Sequence, residues 1–186
     1  MSGHSVLFVV AVSVVVLCSL IVGAYYLHRA RRTREGSWEN ILKRLTYVDR
    51  SCVEDIALDI INENGQQRTD DNSFMMEAQQ IWRLIGGWDG LDALEANCLV
   101  LIDLAFYLQQ WYPEAFAVTQ QLRLNAREIQ GQISRLRIAD KNGKLDSMIT
   151  MFGQQAIATY YLMTQQVLDL YERLGVPMLP ELQKSL

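Results

Sequence analysis

Apolar residues follow two different rhythms along this chain. Residues 6–27 (VLFVVAVSVVVLCSLIVGAYYL) form a run of 22 positions without a charge. A helix of that length spans ~33 Å, enough to cross a ~30 Å hydrocarbon core. Tyr25 and Tyr26 fall at the depth of an interfacial aromatic belt. A cleaved leader needs a basic start, an apolar stretch of about 7–15 residues and a small-residue cleavage site. Residues 1–5 contain no Lys or Arg, so the run is expected to be a retained transmembrane helix. Ser19 and Gly23 make a small-xxx-small pair, the spacing through which two such helices form a homodimer.

Beyond residue 36 apolar positions recur every three or four residues, which predicts an all-α fold. A first helix is expected over 37–49, with Ser37 as its N-cap. A second, 52–64, carries Cys52, Ile56, Ile60 and Val53, Ala57, Ile61 opposite Glu54, Asp55, Asp59 and Glu63. Ser51 is its expected cap and Gly65 its stop. Residues 66–72 (QQRTDDN) read as a loop, and a third helix follows over 73–85. Gly86, Gly87 and Gly90 break the pattern. The fourth helix, 90–111, has one apolar stripe through Leu94, Cys98, Leu101, Ala105, Leu108 and Tyr112, and a second through Leu99, Ile102 and Phe106.

The last two helices are the longest. Over 113–139 the stripe is Ala115, Val118, Leu122, Ala126, Ile129, Ile133 and Leu136. Over 147–174 it is Ile149, Phe152, Ala156, Tyr160, Met163, Val167, Leu170 and Leu174. Both step by three and four residues, and Asp140-Lys141-Asn142-Gly143 joins them, so they predict a long C-terminal antiparallel helical hairpin. The expected architecture is a short N-terminal tail (1–5), a transmembrane helix (6–27), a basic juxtamembrane linker (28–36) and a domain of about six helices (37–175). Residues 176–186 read as a frayed tail.

Charge sharpens this picture. Arg29, Arg31, Arg32 and Arg34 follow the apolar run, and of basic residues only His4 precedes it. The positive-inside rule then places the helical domain in the cytoplasm. The same arginines are candidate contacts for anionic lipid headgroups. Residues 49–103 carry twelve acids against three bases, while 123–144 carry six bases against two acids. The two segments are complementary in sign and are expected to meet within the fold or to present a charged face to a partner. The net charge of −4 and the absence of aromatics among Arg123, Arg127, Arg135 and Arg137 argue against nucleic acid as that partner.

The search for chemistry returns mainly exclusions. The two histidines, His4 and His28, both flank the apolar run. The domain therefore lacks the base for Ser-His-Asp or Cys-His catalysis and the ligands for His-bound zinc, haem or di-iron. Cys18, Cys52 and Cys98 form no C-x-x-C pair. Counted from Asp140 as a calcium loop, positions 5, 6 and 12 are Lys144, Leu145 and Met151, which bind no cation. No phosphate-loop motif is present, and no cofactor is implied. Asp55 with Asp59, and Asp92 with Glu95, read as solvated acidic faces. Asp103, in an apolar stretch, is expected to pair with Arg123 or Arg127.

Four tryptophans, Trp38, Trp82, Trp88 and Trp111, stand in the domain. They are expected mostly as core anchors; the alternative for Trp88, which lies in the glycine-rich break, is an exposed contact, together with a basic face of Arg123, Arg127 and Arg135. The leading expectation is a membrane-anchored, non-enzymatic interaction or scaffold module, such as an accessory subunit of a membrane complex, with a protein partner. The alternatives are a regulator that senses lipid through Arg29, Arg31, Arg32 and Arg34, and an enzyme that uses only carboxylate, arginine and tyrosine groups.

Overall fold

The structure, a computed structural model, describes residues 38–61 and 76–186. The apolar run 6–27, the arginines of 28–36 and the loop 66–72 lie outside the described residues, and so does the small-xxx-small pair. What is described is helical: α1 (Trp38–Leu42), α2 (Arg50–Ile60), α3 (Ala78–Ile85), α4 (Gly87–Leu108), α5 (Ala115–Lys141), α6 (Leu145–Met148), α7 (Gln154–Arg173) and α8 (Leu179–Ser185). A π-helical turn, Ile149–Gly153, connects α6 to α7. Among the described residues no helix is long and apolar enough to cross a membrane.

α4, α5 and α7 pack on one another, and α2 lies against α7. The core follows the stripes. Leu94, Leu101, Leu104 and Leu108 of α4 meet Leu122, Ile129, Ile133 and Leu136 of α5 and Met163, Val167 and Tyr171 of α7, all 1% exposed or less. Each such aliphatic side chain contributes roughly 1.5–3 kcal/mol by leaving water. The long hairpin is antiparallel. Gln132 of α5 donates to Gln155 of α7 (3.4 Å), and Asn125, two turns earlier on α5, donates to Gln166, three turns later on α7 (3.5 Å).

The stripes err where a polar side chain satisfies itself inside the core. On α5 the buried residue is Thr119, whose hydroxyl donates to the Ala115 carbonyl at 2.8 Å, and Val118 is only half-buried. On α4 the second stripe fails at Leu99, which is exposed.

The first helix is far shorter than 37–49, because Asn97 of α4 takes over the backbone. Its side-chain oxygen accepts from the Thr46 N–H (2.8 Å), and its amide donates to the Thr46 carbonyl (2.7 Å) and to Tyr160 Oη (3.3 Å). Thr46 therefore has no hydrogen bonds to give a helix, and residues 45–49 run without helical winding into α2. α2 begins at Arg50, so Asp49 rather than Ser51 caps it. One Asp49 oxygen accepts from the Ser51 N–H, the Cys52 N–H and the Ser51 hydroxyl. The Ser51 hydroxyl leads the causes that hold the Asp49 carboxyl below its ordinary range.

At the other end, residues 176–186 are not frayed. Gly175 (φ +60°) reverses the chain after α7, and the Val176 N–H bonds to the Tyr171 carbonyl at 3.1 Å. Pro180 sits in the first turn of α8, and Leu182 is fully buried in the core. One apolar position per helical turn is enough to dock a two-turn helix, too short for its period to show in the sequence.

Burial also sets the alkaline limit of this fold. Loss of water pushes the Cys98 thiol from 9.0 up to about 12 and the Tyr160 hydroxyl from 10.0 up to about 12. Both are acids held neutral by the folded state, so their contribution is whole below pH 9 and is lost as pH rises toward 12. The urea midpoint of the purified chain is expected to fall between about pH 8 and about pH 11, and Cys98→Val to remove part of that fall. A midpoint unchanged over this range would contradict the burial of both groups.

Candidate functional site

Of the carboxylates highlighted by the sequence, Asp59, Asp92, Glu95 and Asp103 have structural partners, while Asp55 stands exposed on α2. Asp92 and Glu95 both accept from Arg137 Nη2, at 2.7 and 3.3 Å. The acidic and basic segments thus meet within the fold, though through Arg137 rather than the other arginines. Asp59 accepts from Gln154 Nε2 at 2.6 Å. Asp103 pairs with Arg44 at 2.9 Å, not with Arg123 or Arg127, because its side of α4 faces the chain leaving α1. Arg137 and Asp92 are about half exposed, so water screens the bridge. Arg137→Ala is expected to cost less than about 1 kcal/mol in a thermal melt.

The buried tyrosines are likewise structural. Tyr171 Oη accepts from Trp38 Nε1 (3.0 Å) and donates to the Leu104 carbonyl (3.2 Å). Burial raises its pKa, so it keeps its proton as Tyr160 does. Among the described residues no group of three His, Cys, Asp or Glu side chains could hold a metal ion.

The candidate contact residues divide. Arg29, Arg31, Arg32 and Arg34 lie outside the described residues. Trp88 is not an exposed turn residue: it stands in the first turn of α4, half-buried and edge-on to Trp82 at 5.3 Å. The exposed tryptophan is Trp111 (58%), packed edge-on to Tyr107 at 4.9 Å. Arg123 is half-buried and Arg127 exposed on the central part of α5. Arg135 lies eight residues beyond Arg127, about 12 Å along the helix, so the three arginines do not form one cluster. The structure instead joins Arg135 with residues of α6 and the π turn.

That juxtaposition depends on Gly153. A Cβ there would stand 2.6 Å from Ile149 Cδ1 and 3.6 Å from Leu136 Cδ1. The close approach to α5 coincides with π winding, in which the Gln154 N–H bonds to the Ile149 carbonyl five residues back. The extra residue in the turn puts Gly153 on the buried side and moves Phe152 out of the core. Phe152 is half-buried instead, with the Arg135 guanidinium 5.2 Å from its ring centre. Such a stack is worth about 0.5–1 kcal/mol at an exposed site.

Beside this stack lies a groove of about 240 Å³, open to solvent. Arg135, Ile138, Ala139 and Asn142 of the α5 end form one wall, and Lys144, Met148 and Phe152 the other. Ile138 is 61% exposed although it is a large aliphatic residue. The lining holds two cations and no acid, and among the described residues neither Arg135 nor Lys144 is in an ion pair. An apolar floor under two uncompensated cations suits recognition of a partner that is apolar and anionic. A second groove, about 310 Å³, lies between α1 and α8, but Lys43 shares it with Glu39 and Glu181, so it favours neither sign.

Of the groove residues, only Arg135 stands out in the sequence as a candidate contact. A constant helical period places Phe152 in the core, because it leaves no room for a π turn. The signal was Gly153, an isolated glycine inside an otherwise apolar helix pattern. No known protein family, curated protein or solved structure matches the chain.

Proposed function

We propose that this protein is a membrane-anchored, non-enzymatic interaction module. Residues 6–27 span the bilayer once, residues 28–36 hold the cytoplasmic boundary, and the helical domain recruits a protein partner. The observation that carries the recruiting role is the groove beside Arg135, with its exposed Ile138 and unpaired Lys144. The anchor rests on the uncharged run and the arginines that follow it.

The test is purification of the full-length protein from its native membranes in mild detergent, beside an Ile138→Asp variant. A partner in stoichiometric amount with the wild type and absent from the variant supports the reading. A protein that elutes alone, or with the same companions in both forms, rejects it. Elution alone would favour the lipid-sensing alternative, which predicts tight retention of anionic lipid through Arg29 to Arg34.

A further inference from the structure

Deepening that reading, we propose that the groove between the end of α5 and the π turn seats an acidic amphipathic helix of the partner protein. Its size points away from a small molecule. Ligand pockets run to about 300–1,000 Å³ and enclose most of their occupant, whereas this groove offers about 240 Å³ and is open along its length. That volume accepts one or two side chains delivered from a larger body. The walls are two helical segments with apolar surface between them, the form in which a third helix lays its apolar face.

The charge selects the sign of the occupant. Arg135 comes from α5 and Lys144 from the residue before α6, so the groove carries a cation from each segment that lines it. A helix that places an apolar side chain on Ala139, Met148 and Phe152 brings residues one turn before and after it toward the two cations. Acids at those positions, spaced i, i+3 or i+4 from the anchor, would meet them. Arg135 is prepared for this. Its guanidinium already lies over Phe152, so less freedom is lost when it binds a carboxylate through two N–H groups. Neighbouring Arg137 is already engaged by Asp92 and Glu95 and does not compete for the ligand.

The experiment installs a photo-crosslinking benzoylphenylalanine at Ile138 of the full-length protein and irradiates native membranes. Mass spectrometry then locates the crosslinked residue. The expected product joins position 138 to an apolar residue flanked at helical spacing by Asp or Glu. A synthetic peptide of that segment should bind the purified full-length protein, and Arg135→Glu should weaken binding by about 10-fold or more. Exchanging only the peptide acid that faces position 135 for lysine, and keeping the acid that faces Lys144, should restore binding to Arg135→Glu. The proposal is overturned by a crosslink to lipid, by a crosslinked segment that is basic or not helical, by no crosslink, or by peptide affinity indifferent to Arg135→Glu. If purification returns a partner sensitive to Ile138→Asp while the crosslinked segment is not acidic, the interaction module stands and its occupant is wrong. Circular dichroism of each variant confirms that the fold is retained.

Discussion

Gly90→Ala is expected to destabilise the domain by about 3 kcal/mol, at the upper end of what overpacking costs. A Cβ at Gly90 would stand 1.7 Å from the Ile85 carbonyl oxygen and 2.8 Å from its carbon. These are backbone atoms of the last α3 residue and cannot rotate aside, so the α3–α4 junction must open. Gly86 (φ +81°) and Gly87 (φ +66°) allow that junction to turn within two residues. Helix propensity alone predicts the opposite sign, because alanine is favoured over glycine by about 1 kcal/mol within a helix. Gly131→Ala separates the two effects. Gly131 lies within α5 with open space around it, and its replacement should stabilise by about 0.5–1 kcal/mol. Urea unfolding of both variants, followed by circular dichroism, decides the matter. Equal and favourable effects at the two glycines would contradict the close crossing at Gly90.

Tyr171→Ala should cost about 4 kcal/mol, in the range of large aromatic truncations in packed cores. Tyr171 is fully buried, and its hydroxyl links Trp38 on α1 to the Leu104 carbonyl on α4. Tyr171→Phe isolates the polar part. It keeps the ring and leaves the Trp38 indole N–H without its partner, for a loss of about 1–3 kcal/mol. Tryptophan fluorescence measured during unfolding reports both. If Tyr171→Phe matches the wild type, the hydroxyl bridge adds nothing and α1 is held by apolar contact alone.

What the sequence made legible follows from the length of each pattern. α4, α5 and α7 are long enough for their period to show, and Leu101, Ile129, Ile133 and Val167 are buried as their spacing predicts. Short elements lack that redundancy. α1 is cut down by a side chain 51 residues away, Asn97, and no local signal announces it. α8 has one buried residue, Leu182, with Leu179 half-buried against the same core. Side-chain pairing was the least legible. Asp103 has arginines available on α5, yet it meets Arg44, because the choice depends on the rotation of α4 about its axis. The groove was hidden for a related reason. One π turn displaces Phe152 from the stripe that period 3.6 assigns to it, and that displacement brings it under Arg135.

The proposed single anchor with a cytoplasmic helical domain is tested by protease treatment of sealed native membrane vesicles with their cytoplasmic face outward. Mass spectrometry of the washed pellet should recover a protected peptide covering residues 6–27, while residues 37–186 are cleaved from the vesicles without detergent. Recovery of the helical domain intact until detergent is added would reverse the orientation. Release of the whole chain into the supernatant would contradict the anchor itself.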